Sequence, residues 1–263
     1  SIGSWEYKDY TPQFGGGLGW VSAGSGRIDL TGRPLGEAFY TRVALEQEKG
    51  PYIAVCPVNH TNEKHSPSAW KMSNAMPSWS WRGWAGKPAN VEVYARAHSV
   101  ELLVNGKAVG RKELKRDCIA RFCCTYEDGR VEAVSYDRSG KEIGRCALKT
   151  ADPETQLRVL PEETSVSPGR LCHIRLQYTD KNGTLKPLER GILTVKISGG
   201  RLLGLGSACP YNIIGYCESR TDTYYGEALA VVLVETDRDI ELTVTDGKHT
   251  TKAVIAVMDN HAG

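Results

Sequence analysis

Val100-Glu101-Leu102-Leu103-Val104-Asn105-Gly106-Lys107-Ala108-Val109-Gly110 spells a β-hairpin in one uninterrupted run. Val100, Leu102 and Val104 fall on one side of an extended chain, and Asn105-Gly106 supplies the positive φ angles of a type I′ turn. The period of two continues outward from this hairpin. It predicts strands over residues 52–58 and 91–97 before it, and over 119–126, 130–136 and 141–149 after it. Asp128-Gly129 and Ser139-Gly140 mark further tight turns between them. Short strands with a turn every 8 to 12 residues or so describe an antiparallel sandwich rather than a barrel of alternating helices and strands.

Thr150-Ala151-Asp152-Pro153 interrupts the alternation and reads as a linker. A second strand series follows at 156–160, 171–179, 192–198, 227–235, 240–245 and 250–258, with turns at Asn182-Gly183 and Asp246-Gly247. Residues 199–225 read as one long connection containing Gly, Tyr and Cys. Upstream, the period changes to that of a helix over 34–46, where Leu35, Phe39, Val43 and Glu46 share a face. Pro34 suits the first helical position and Gly50-Pro51 ends the segment. Residues 1–33 are rich in Gly and aromatics without a period, and the start at Ser1 reads as part of something longer. The expected architecture is therefore all-β: two immunoglobulin-like antiparallel β-sandwiches, at 51–152 and 153–263, preceded by a loop-plus-helix segment at 1–50.

The composition is that of a soluble globular protein, 40% apolar and 24% charged. The 33 basic and 31 acidic side chains are mixed along the chain, so no stripe exists that would track phosphates, and nucleic acid is not an expected partner. No run of about 18 apolar residues exists for a membrane span. The 28 glycines suit a fold full of turns, and Gly15-Gly16-Gly17 lacks the following residues of a phosphate cradle. Eight cysteines stand at positions without metal-ligand spacing, so no metal and no cofactor is expected. They read as free thiols of a reducing compartment, pointing to the cytoplasm, with periplasm or export as alternatives. A Cys209–Cys217 disulfide is the other reading of that pair.

A resemblance now enters. Pro77-Ser78-Trp79-Ser80-Trp81-Arg82-Gly83-Trp84, then Val91-Glu92-Val93-Tyr94, then the opening hairpin, resemble the sandwich that follows the catalytic barrel in bacterial family 2 β-galactosidases. There the pattern is W-x-W, a V-x-V-Y strand and a V-E-L-x-x-N-G-x-x-x-G hairpin. Gly204-Leu205-Gly206-Ser207 and Thr223-Tyr224-Tyr225-Gly226-Glu227-Ala228-Leu229-Ala230 are similar to the last domain of the same enzymes, and residues 26–40 to the end of their (β/α)8 barrel. The resemblance implies that segment 1–50 is a C-terminal remnant of such a barrel. It implies a parent that hydrolyses a β-linked terminal sugar through a glycosyl-enzyme intermediate, using two Glu about 5 Å apart. It places both Glu on barrel strands outside this sequence, so no catalytic residue is expected here and the isolated chain is expected to be inactive. Family 2 also holds glucuronidases and mannosidases, and the residues do not choose among them.

Four tryptophans are the candidate site residues. The resemblance assigns Trp5 to the rim of the sugar pocket, where a ring face meets the C–H groups of a sugar; the alternative is simple core packing. Trp79, Trp81 and Trp84 are either a carbohydrate platform or a plug at the junction of barrel and sandwich. The platform reading would make the chain a carbohydrate-binding module with an oligosaccharide partner. Otherwise the expected partner is the rest of the parent chain, with an oligomer interface compatible with either. An adhesin-like stack of immunoglobulin-like domains is a third reading, against which the helix at 34–46 argues.

Overall fold

A computed structural model describes residues 26–61, 72–209 and 212–258. They divide into two units, one running to Ala151 and the other starting at Asp152.

The first unit is a sandwich. One sheet has three strands in the order β1 (Tyr52–Val55), β2 (Pro88–Tyr94), β5 (Ile119–Thr125). The facing sheet has four, in the order β4 (Lys107–Glu113), β3 (Ser99–Val104), β6 (Arg130–Tyr136), β7 (Glu142–Lys149). Every named pairing is antiparallel, and this order is that of immunoglobulin-like domains. Val91, Val93, Val100, Leu102, Val131 and Ala133 close the interior with no accessible surface. Each buried aliphatic side chain of this kind contributes about 1.5–3 kcal/mol. The hairpin turn has the geometry expected of it, with φ of 49° at Asn105 and 77° at Gly106.

The outer face of the three-stranded sheet is covered by α1 (Gly36–Ala44), through Val43, Phe39 and Tyr40 against Tyr94, Ala54 and Tyr52. The helix is shorter than its periodicity suggests. Pro34 lies outside it, bridged to Ile28, and Leu35 is the N-cap. Gly36 opens the helix because the chain passes too close for a side chain: a Cβ there would stand 2.6 Å from the Ala75 carbonyl. Arg96 closes the other end, donating Nε to Val43 O and Nη2 to Ala44 O, each at 3.0 Å. A cation at a helix C-terminus meets the free carbonyls and the negative end of the dipole.

The second unit packs a sheet ordered β12 (Arg201–Gly206), β14 (Glu227–Leu233), β10 (Leu171–Thr179), β8 (Gln156–Pro161) on a five-stranded sheet. The latter runs β13 (Arg220–Asp222), β11 (Ile192–Ser198), β15 (Ile240–Thr245), β16 (Thr250–Val257), β9 (Ser165–Val166). Ile174, Leu176, Leu193, Val232, Leu242 and Ile255 form its core. The β16–β9 pairing is parallel. Both units are antiparallel sandwiches apart from that short pairing, so the all-β expectation holds.

The connection expected over 199–225 is a correction. It contains β12 and β13. Gly204 and Gly206, whose sequence fits close strand packing or a turn, both lie in an edge strand. At Gly206 the reason is plain: the Tyr216 ring occupies the space of its Cβ, 2.2 Å from where that atom would be.

Candidate functional site

Trp79 and Trp81 lie in a segment outside the named strands. Each has 0% exposure. The Trp79 ring packs on Tyr126 with centroids 4.9 Å apart, and its Nε1 donates to Glu127 O at 3.0 Å. Trp81 donates its Nε1 to Ser78 O at 3.3 Å and its backbone N–H to the Tyr126 hydroxyl at 3.0 Å. That hydroxyl donates to Asp128 Oδ1 at 2.8 Å, and burial pushes the phenol up to about 12. Thr150 Oγ1 donates to Trp79 O at 2.8 Å and accepts the Gly129 N–H at 3.0 Å. Arg82 ties Asp128 to the Ala151 carbonyl, at 3.0 and 2.9 Å.

These contacts join residues 78–82, 126–129 and 150–151 into one knot, buried at Trp79, Trp81 and Tyr126 and open at Arg82 and Asp128. Stacking a sugar requires an open ring face, and neither Trp79 nor Trp81 has one. Trp84 is half-buried. Trp5 lies outside the described residues. Tyr126 and Thr150, which hold the knot, escape sequence reasoning because nothing local in their segments distinguishes them from other strand-end residues.

The buried acids are all engaged. Glu37 accepts the amides of Met72 and Ser73 at 2.5 and 2.9 Å. Glu92 accepts the Tyr94 hydroxyl at 2.6 Å and pairs with Arg121 at 3.2 Å. Glu227 accepts Gln177 Nε2 at 2.5 Å. Burial opposes ionisation of Asp180, but the amides of Asp152, Thr184 and Asn182 outweigh it and hold the carboxyl below its ordinary value. A glycosidase acid/base needs a carboxyl free to exchange a proton with substrate; these four are engaged by fixed donors, Glu92 even though it also lines an open cavity of about 270 Å³.

Thiol chemistry is equally muted. All eight cysteines are free. Burial pushes Cys56 and Cys124 up to about 11 and Cys146 up to about 12, so none of these three is poised as a nucleophile. Among the described residues, no group of His, Cys, Asp and Glu is arranged to hold a metal ion. No helix among them is long and apolar enough to cross a membrane.

The described residues thus form two antiparallel sandwiches whose buried acids are engaged by donors. Residues 157–255 match the glycoside hydrolase family 2 C-terminal domain 5, and residues 86–144 match a domain of unknown function, DUF4982. A β-galactosidase of Bacteroides ovatus is 26% identical over 162 residues, which is 59% of this chain and 19% of that protein. A solved glycosyl hydrolase family 2 member from Bacteroides cellulosilyticus superposes with a TM-score of 0.81 at 23% identity, covering 91% of this chain and 32% of that one. A β-glycosidase from Bacteroides vulgatus gives a TM-score of 0.72 at 23% identity over 91% of this chain and 29% of its own. At such identities the structural likeness is one of fold. The family match over residues 157–255 and the galactosidase relative point the same way: this chain is similar to the C-terminal region of glycoside hydrolase family 2 enzymes. It spans about a fifth of the curated relative and about a third of the solved ones.

Proposed function

We propose that these sandwiches are the non-catalytic C-terminal part of a β-galactosidase-like retaining glycosidase and brace its catalytic domain. The observation that carries this reading is the engagement of every buried carboxylate among the described residues by fixed donors, while Trp79 and Trp81 of the first sandwich have no exposed ring face. Such a construction is built for rigidity, since these buried carboxylates are satisfied and Trp79 and Trp81 fill interior space. The relative named as a β-galactosidase supports a terminal β-galactoside as the parent's substrate class.

Two measurements test the proposal. The purified chain should show no turnover of a chromogenic β-galactoside, and removing this region from the parent enzyme should lower both its melting temperature and its activity. Turnover that copurifies with the chain through successive columns overturns the first half. A truncated parent with unchanged stability and activity overturns the second.

A further inference from the structure

Arg111 on β4 is held from two sides. Its guanidinium lies 3.8 Å from the centroid of the Tyr136 ring, and its Nε donates to Ser99 Oγ at 2.9 Å. Both supports are themselves fixed. Ser99 is 2% exposed, and the Tyr136 hydroxyl donates to Glu101 Oε2 at 2.8 Å, a bond that raises the phenol above its ordinary value. A guanidinium stacked and tethered in this way keeps its two Nη groups in a set plane, ready for a two-oxygen anion. Among the described residues no carboxylate stands within ion-pair distance of Arg111 or of Arg138.

With His98, Glu113, Asp137, Arg138 and Ser139, Arg111 lines an open cavity of about 470 Å³. It is an open surface depression, so a ligand would be held on one side only. The cavity combines two kinds of group. Arg111 and Arg138 offer cationic forks outside any ion pair, with Glu101 the nearest acid in register to Arg111 and already accepting the Tyr136 hydroxyl. Glu113 is an exposed acceptor whose partner, His98 Nε2, stands 3.9 Å away. Asp137 Oδ1 is occupied by its own turn, accepting from Ser139 N, Ser139 Oγ and Lys141 N at 2.8, 2.6 and 3.0 Å, so it shapes the rim.

A simple inorganic anion would use the arginines and be repelled by Glu113. A neutral sugar would use Glu113 and leave both arginines idle. A ring bearing one carboxylate and several hydroxyls satisfies both, because hydroxyls donate to carboxylates while the ligand's carboxylate takes the guanidinium. We propose that this cavity binds an acidic sugar, a uronic acid residue, with its carboxylate on Arg111. The site concerns binding alone and is independent of any bracing role.

The test is titration of the intact chain with D-galacturonate, D-galactose and acetate, followed by backbone amide NMR shifts around positions 98–99, 111–113 and 137–140. Galacturonate should saturate at these amides, with galactose and acetate at least tenfold weaker. Arg111→Gln should weaken galacturonate tenfold or more, Arg111→Lys by less, and Tyr136→Leu should act through loss of the ring under the guanidinium. Arg170→Gln, on the other sandwich, should change nothing. Galacturonate binding that is absent, equal to acetate, or unaltered in Arg111→Gln overturns the proposal. Arg111 is exposed, so its variants keep the fold and decide the matter even if Tyr136→Leu melts.

Discussion

Trp81 donates its backbone N–H to the side-chain hydroxyl of Tyr126, 45 positions further along the chain, at 3.0 Å. The same oxygen donates to Asp128, so one atom fixes the tryptophan segment to the turn that follows β5. Tyr126→Phe keeps the ring against Trp79 and removes only that atom. It strands a buried N–H, which costs about 1–3 kcal/mol. Urea unfolding of the first sandwich, followed by tryptophan emission, should show a lower midpoint with an unchanged slope. An unchanged midpoint would mean that water reaches the Trp81 amide and that the knot is open.

The opening hairpin has its own lock. Asn105 sits at φ of 49°, and its Oδ1 accepts the Arg130 N–H at 2.8 Å while Nδ2 donates to Asp128 O at 3.1 Å. Asn105→Ala keeps the left-handed backbone without a residue suited to it, a strain of about 1–2 kcal/mol. Asn105→Gly should recover most of that loss, because glycine adopts positive φ freely. Equal losses in both variants would assign the stability to the side-chain bonds instead. Thermal melts of the two variants side by side distinguish these outcomes.

Cysteine reactivity should follow burial. Cys123 and Cys217 are exposed, while Cys118 and Cys172 are buried. Burial raises Cys56, Cys124 and Cys146 to between about 11 and about 12, which leaves almost no thiolate at pH 8. An aromatic disulfide reagent at that pH should therefore label Cys123 and Cys217 first, as read by peptide mass mapping. Early labelling of Cys146 would show that β7, an edge strand, opens readily.

The sequence revealed the strands better than the site. Hairpins such as 99–113 are local, so alternation and an Asn-Gly turn suffice to place them. Ends set by distant atoms were hidden. The start of α1 at Gly36 depends on the Ala75 carbonyl, and β12 depends on Tyr216 filling the space above Gly206. The tryptophans illustrate the same limit. Three indoles in six residues fit a platform or a plug equally well until the Tyr126 and Thr150 partners are seen. Arg111 gave no signal at all, since its order comes from Tyr136 on another strand and Ser99 on a third.

Asp246 makes the second sandwich sensitive to acid. Burial works against its charge, but the amides of His249 and Lys248, the His249 ring and the Tyr178 hydroxyl overcome it and hold the carboxyl far below the usual range. The Tyr178 hydroxyl donates at 2.7 Å, and that phenol is pushed up correspondingly, by burial first and then by the carboxylate. A depressed folded-state value means that the unfolded chain takes up the proton first. The stabilisation is thus complete above about pH 4, the ordinary aspartate range, and is lost as pH falls below it. Asp246→Asn should lower stability at pH 7 and flatten the loss between pH 4 and pH 2. Denaturant melts of the native chain and the variant across that window check the sign. A variant whose acid loss stays as steep as the native one would place the responsible carboxylate elsewhere, with Asp180, likewise depressed, as the next to substitute.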